Sequence, residues 1–280
     1  MVDVPFASGP ARARNAGATV AVQDILLFVD ADVVIPPDTV QRVKEEFARN
    51  PEVAAIFGSY DTSPGDPDFL SQYRNLMHHF VHQRSQERAG TFWGGLGAIR
   101  TSAFRSVGGF DASYRVPCIE DIEFGTRLRD AELEIRLVKT LQGRHMKCWT
   151  PLKMLKTDLW QRGIPWMRLI LARRRVQSDL NTCWVARLST ILAWVPVVLL
   201  PFGVRSAVWG GVALTAVASV VVLNLAFYRF LAQHRGLVFT VQSIPWHLIY
   251  YLECGLAGFI GLLLHFRDQF LITIKSPHEP

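Results

Sequence analysis

The sequence predicts an α/β layered domain followed by a C-terminal transmembrane helical region. Three observations carry this. Short apolar runs bounded by turn residues alternate with helical periodicity through the first half of the chain. Farther on, charge almost vanishes: 188–204 and 206–228 hold no charged residue, and 244–266 is interrupted only by Glu253 and two histidines. Between these regions lies a stretch in which Leu and Trp interleave with Lys and Arg. The 280 residues therefore divide into an α/β domain at 1–150, amphipathic interfacial helices at 151–182, about three membrane helices within 183–266, and a tail at 267–280.

The elements follow in order. Small residues across 11–22 suit a helix. Ile25-Leu26-Leu27-Phe28-Val29 is a continuous apolar run, expected to be a strand buried on both faces. It ends at Asp30-Ala31-Asp32. Pro36-Pro37-Asp38 opens a helix at 39–50, with Val40, Val43 and Phe47 at helical spacing. A strand is expected at 53–60, a loop at Ser63-Pro64-Gly65-Asp66-Pro67, and a long helix at 69–88. A short strand at 91–99 contains Gly94, Gly95 and Gly97. A helix at 101–107 is closed by Gly108-Gly109, and a helix at 120–131 and a strand at 134–138 complete the domain. In 151–175, Leu152, Leu155, Leu159, Trp166, Leu169 and Ile170 alternate with Lys153, Lys156, Arg162 and Arg168, and Pro165 is expected to divide two short helices.

The charge balance excludes nucleic acid as the main partner. There are 24 basic against 21 acidic residues before position 183, and 6 against 3 after it. Cys118, Cys148, Cys183 and Cys254 form no CxxC pair, so zinc spacing is missing and the thiols read as packing residues of a reducing compartment. Arg173-Arg174-Arg175 and Arg187 precede the first span, and Arg229 and Arg235 follow the second. Only Arg205 falls in the loop between them, so the α/β domain is expected on the cytoplasmic side of the cell membrane. Arg267 and Lys275 in the tail oppose that orientation weakly.

Three groupings can carry chemistry. Asp30 and Asp32 sit at the C-terminal end of a predicted strand, where open α/β sheets bind ligands, and a turn there can direct both carboxylates at a hard divalent cation. Capping aspartates in a plain loop would look the same. Glu120-Asp121-Ile122-Glu123 opens a helix, where acidic residues gain from the helix dipole, or where one of them serves as a general base. His145, just past a predicted strand, is either structural or the nitrogen ligand of a mixed metal site.

In order and spacing these features resemble glycosyltransferase family 2 with the GT-A fold. The matching segments are Gly9-Pro10-Ala11-Arg12-Ala13-Arg14-Asn15-Ala16-Gly17, the run ending in Asp30-Ala31-Asp32, and Trp93-Gly94-Gly95-Leu96-Gly97-Ala98-Ile99-Arg100. Val107-Gly108-Gly109-Phe110-Asp111 and Glu120-Asp121 follow. Gln161-Arg162-Gly163-Ile164-Pro165-Trp166 is a loose relative of the family's QxxRW motif. It lacks the arginine before tryptophan, so processivity is not expected.

The resemblance spans roughly residues 4–170. It implies a nucleotide-sugar donor, inverting sugar transfer, and Mn²⁺ or Mg²⁺ on the diphosphate. Asp32 and His145 become metal ligands, Asp30 and Arg14 donor contacts, Asp121 the base with Glu120 beside it. Trp93, Gly94, Gly95 and Trp166 fall on the acceptor side. Membrane helices make the expected acceptor lipid-linked; a polyprenyl phosphate would need no base, and Asp121 would then do something else. Family members begin with a strand–helix–strand segment that reads the nucleotide, and none precedes Val4, so the domain is read as a partial, N-terminally truncated GT-A fold. The alternative that follows is an inactive membrane scaffold or partner subunit.

Overall fold

The computed structural model describes residues 9–173, 180–203 and 206–275, with side chains to residue 271. Arg174, Arg175 and Arg205, which entered the orientation argument, and most of the tail lie outside the described residues. The chain forms two compact units, Met1–Thr150 and Pro151–Pro280.

The first unit is built on a five-stranded mixed sheet. Its strands are β1 (Ile25–Val29), β2 (Val33–Val34), β3 (Val53–Tyr60), β4 (Leu96–Arg100) and β5 (Glu134–His145), in the spatial order β1-β4-β3-β5-β2. Only the β3–β5 pairing is parallel. The helices are α1 (Gly9–Val20), α2 (Thr39–Arg49), α3 (Phe69–Arg84), α4 (Thr101–Ser106) and α5 (Glu120–Asp130).

Several expectations need correction. β1 is an edge strand of the described sheet, paired with β4 alone. Its burial alternates, Leu26 and Phe28 inward and Val29 exposed, as on a strand with one covered face. The strand buried throughout is β3, flanked on both sides. Residues 91–95 are not strand. β4 starts at Leu96, and α3 stops at Arg84 rather than at 88. β5 runs to His145 instead of ending near 138, because Gln142 and Gly143 stay paired with the end of β3 and Arg144 and His145 pair with the two-residue strand β2. In α2, Val43 and Phe47 are buried, but Val40 faces solvent and Thr39 takes the inward place.

The two faces of the sheet carry separate apolar clusters. One joins Leu26, Phe28 and Phe57 to Phe92, Phe104, Phe110 and Phe124 under α1, α4 and α5. Phe110 and Phe124 lie 4.4 Å apart, with Phe28 edge-on to Phe110 at 5.3 Å. Truncating one such ring costs about 3–5 kcal/mol. The other cluster places Val43 and Phe47 of α2 against Val53, Ile56, Leu96 and Leu141. α1 is fixed by Asn15, whose side chain accepts from the Phe110 N–H at 2.9 Å and donates to the Phe110 carbonyl at 2.7 Å. That exchange needs the tight turn at Gly108 and Gly109, whose φ angles of 80° and 69° favour glycine.

The second unit is helical. α6 (Pro151–Lys156), a wide turn (Thr157–Gly163) and α7 (Ile164–Arg173) run on without a gap. Pro165 therefore does not divide two helices: it falls in the first turn of α7, where its missing N–H is tolerated, next to a widened turn in which the Ile164 N–H reaches the Leu159 carbonyl. α8 (Trp184–Gly203), α9 (Ala207–Leu223) and α10 (Leu225–Lys275, bent at Gly236) follow. Asn224 ties them together, donating to Ser189 Oγ at 2.9 Å and accepting from the Tyr251 hydroxyl at 2.8 Å. Two helices, Trp184–Gly203 and Leu225–Leu271, are long and apolar enough to cross a membrane; Ala207–Leu223 is apolar but shorter.

Candidate active site

The site lies where the ends of β1, β3 and β5 meet the residues before β4 and the start of α5. After Val29 the chain turns: the Asp30 N–H donates to the Gly95 carbonyl at 3.0 Å, and the Val33 N–H to the Asp30 carbonyl at 2.9 Å. This turn separates the two aspartates into different groups of side chains.

Asp30 meets Arg14. The Arg14 guanidinium donates to Asp30 Oδ1 at 2.7 Å and to Glu120 Oε1 at 2.8 Å, and it lies over the Phe110 ring at 5.3 Å. The other Glu120 oxygen accepts from the Cys118 N–H at 2.9 Å. Burial works against the Arg14 charge, but Asp30, Asp121 and Glu120 outweigh it and hold the guanidinium above its ordinary value. Asp121 accepts from the Gly94 N–H at 3.0 Å and from its neighbour Ile122 at 2.8 Å. Its carboxyl is pushed up to about 6, mainly by burial and then by the Glu120 charge, with Arg14 and the Gly94 N–H pulling the other way. A carboxyl so tuned accepts a proton readily near neutral pH. Burial pushes the nearby Cys118 thiol up to about 11, so it stays protonated.

Asp32 meets His145. β2 and β5 pair in the register that sets Val33 opposite His145, and the Met146 N–H donates to the Asp32 carbonyl at 2.8 Å. Asp32 Oδ2 and His145 Nε2 are then 3.7 Å apart. The Asp32 carboxyl is held below its usual range, first by the neighbouring His145 ring. Two ligands of one cation, each about 2.1 Å from it, are separated by about 3.0 Å when adjacent and about 4.2 Å when opposed. The pair fits a cation that accepts one oxygen and one nitrogen, with the remaining positions open to phosphate and water.

Sequence reasoning singled out Arg14, Asp30, Asp32, Trp93, Gly94, Gly95, Glu120, Asp121 and His145, and the fold gathers them at one sheet end. Trp166 is on α7, in the second unit. Two rings were missed. Tyr60 stacks on His145 with centroids 4.1 Å apart and planes 10° apart, and His78 of α3 lies 4.4 Å from Tyr60. Tyr60 at the end of a buried strand was the available signal.

The five-strand sheet, the acidic turn after β1 and the carboxylates opening α5 define the α/β class of GT-A transferases. The model for "Glycosyl transferase family 2" matches residues 2–108, and that for "N-terminal domain of galactosyltransferase" matches 74–148. The match to the family 2 model thus falls within the first unit. A poly-β-1,6-N-acetyl-D-glucosamine synthase of Staphylococcus epidermidis is 26% identical over 171 residues, 59% of this chain and 39% of that one. The chain thus spans well under half the length of the curated relatives it matches. Among solved structures, a Pyrobaculum calidifontis mannosyltransferase in complex with GDP-Man and Mn²⁺ has a TM-score of 0.48 at 16% identity, covering 90% of this chain and 66% of that chain. S. aureus TarS has 0.39 at 14%, covering 94% and 72%.

Proposed function

We propose that this protein is a membrane-anchored glycosyltransferase that moves a sugar from a nucleotide-sugar to a lipid-linked acceptor, with inversion. The observation that carries the reading is Asp121, a raised carboxyl held by the Gly94 N–H beside the Arg14–Asp30–Glu120 network. Asp121 takes the proton of the acceptor hydroxyl. The acceptor oxygen bonds to the sugar's anomeric carbon as the bond to the diphosphate oxygen breaks, and the nucleoside diphosphate leaves. One displacement inverts the anomeric centre. Arg14 and Asp30 orient the donor, and Glu120 holds Arg14 in place. Asp32 and His145 would hold Mn²⁺ or Mg²⁺, which when bound neutralises charge developing on the leaving diphosphate. Gly94 and Gly95 let the Arg14 guanidinium and the Trp93 indole pack against the backbone on the acceptor side.

Membrane anchoring is supported by exposure. Only 11% of the apolar window in Trp184–Gly203 and 22% of that in Leu225–Leu271 is buried, the opposite of soluble core helices. Leu152 and Trp160, on the stretch read as interfacial, are also exposed. With the arginines counted above, the catalytic unit lies at the cytoplasmic face of a multi-pass anchor. The test is an assay of the full chain in membranes, with a panel of nucleotide-sugars, Mn²⁺ and total lipid extract. Sugar transfer to lipid that disappears in Asp121→Asn is the expected result. Transfer that is absent, or indifferent to that change, defeats the reading.

A further inference from the structure

A wall of aromatic rings joins the two halves of the site. Tyr60, stacked on His145, also meets His78 at 4.4 Å and Trp93 edge-on at 4.8 Å. His78 is 4.0 Å from His82 and 4.8 Å from Trp93, and His82 is 5.4 Å from Trp93. Trp93 is fixed from the other side, because its indole lies over Gly95, where a Cβ would fall 2.4 Å from the ring. The next residue, Gly94, holds Asp121. Rings therefore run without interruption from Asp32–His145 to Gly94–Asp121.

Some of these rings are core and some are not. Tyr60, His79 and His82 are buried. The Nδ1 atoms of His79 and His82 pair with the Tyr60 carbonyl at 2.7 Å and the Gly58 carbonyl at 3.0 Å. His78 and Trp93 remain half-buried.

We infer that His78 and Trp93, backed by Tyr60 and His82, form an acceptor subsite that stacks on the face of a sugar ring, so that the acceptor presents a saccharide rather than a bare polyprenyl phosphate. The inference rests on the transferase reading above. An acceptor must lie between the group that holds the diphosphate and the base that takes its proton, and that interval is lined by rings. Ring faces attract the C–H face of a sugar and exclude water around it. A phosphate would instead call for cations; Arg14 is engaged by Asp30 and Glu120, and Lys147 acts on Asp32 at the far end, away from His78 and Trp93 in the ring-lined interval.

The experiment uses the full chain in nanodiscs with Mn²⁺ and three donors, UDP-N-acetylglucosamine, UDP-glucose and GDP-mannose. Nucleotide release is followed with octyl glucoside, octyl N-acetylglucosaminide or farnesyl phosphate as acceptor. A glycoside should stimulate release and farnesyl phosphate should not. His78→Ala should raise the glycoside KM roughly five- to tenfold, the worth of one ring contact, with the donor KM changed less than about twofold. His78→Phe should restore the acceptor KM, since a ring and not its titration is what matters. Stimulation by farnesyl phosphate alone, an unchanged acceptor KM in His78→Ala, or failure of the Phe variant to restore it would overturn the inference. Release from a donor with no response to either glycoside overturns it while leaving the transferase reading intact. No release from any donor removes both.

Discussion

Asp121→Asn should make the protein more stable and less active at once. The Asp121 carboxyl is moved from its ordinary 3.8 to about 6, so at neutral pH the fold carries an ionised group that its surroundings disfavour. Two decades of acidity at roughly 1.4 kcal/mol each amount to about 3 kcal/mol, most of it from burial. Against this gain stands a hydrogen bond. The carboxylate accepts from both Gly94 and Ile122, and asparagine can serve only one of them, at a cost of about 1–2 kcal/mol. The net effect is a stabilisation of about 1–2 kcal/mol near neutral pH, or a Tm higher by roughly 3–6 °C for a domain of this size.

The sign with pH follows from the raised value. The destabilisation by ionised Asp121 is complete above about pH 6 and is relieved as pH falls through 6 towards 4, where the folded state binds the extra proton. The advantage of the variant should therefore be largest near neutral pH and shrink towards about pH 4. Turnover should fall by ~10²-fold or more, and the wild-type rate should drop on the acid side with a midpoint near the same value of about 6. Thermal unfolding and initial rates, measured over that range on one preparation, check both. A variant less stable than wild type near neutral pH, or an advantage independent of pH, would refute the burial account. Near-normal turnover would hand the proton to another base or mean that the acceptor arrives already ionised.

Asp32→Ala should abolish the Mn²⁺-dependent part of nucleotide-sugar affinity; calorimetry with and without the metal checks it, and equal affinities remove Asp32 from the metal. Gly125→Ala should cost about 3 kcal/mol or more, because its Cβ would lie 2.2 Å from the Phe92 backbone nitrogen, which cannot yield without moving the Trp93–Gly95 segment. Wild-type Tm in that variant would show that α5 can lift away from the chain beneath it. Cysteine placed at Arg205 should react with an impermeant maleimide from outside the cell and cysteine at Arg235 should not; the reverse pattern inverts the orientation.

Local chemistry made much of the domain legible. The apolar run before Asp30 announces a strand, and Gly108-Gly109 announces a stop, because both depend on neighbours in sequence. What sequence could not show depends on distant partners. Val33-Val34 is too short to read as a strand, and it exists because the far end of β5 pairs with it. That same pairing sets His145 beside Asp32, so the metal-fitting geometry comes from register and not from spacing. The burial of β1 was misjudged because an unbroken apolar run looks the same at an edge as in the centre of a sheet. The ring wall escaped notice because His78 and His82, four residues apart on α3, gain their meaning only where they meet Tyr60 and Trp93.

Arg14 explains why two carboxylates can stand side by side at the start of α5. Glu120 is buried, and Asp121 next to it is partly so, and like charges in such a place raise each other's cost of ionisation. The helix dipole offsets a fraction of that. The guanidinium of Arg14 does more: it pairs with Glu120 directly and lowers the proton affinity of Asp121 through space, against the rise produced by burial. Asp30, on the other side of Arg14, draws on the same positive charge and adds its own repulsion to Asp121. The proton affinity of the proposed base is thus a balance among α1, the end of β1 and the start of α5. If Arg14 were neutral, Asp121 would rise farther and be protonated where it now accepts a proton, and the base would fall silent with its contact to Gly94 intact.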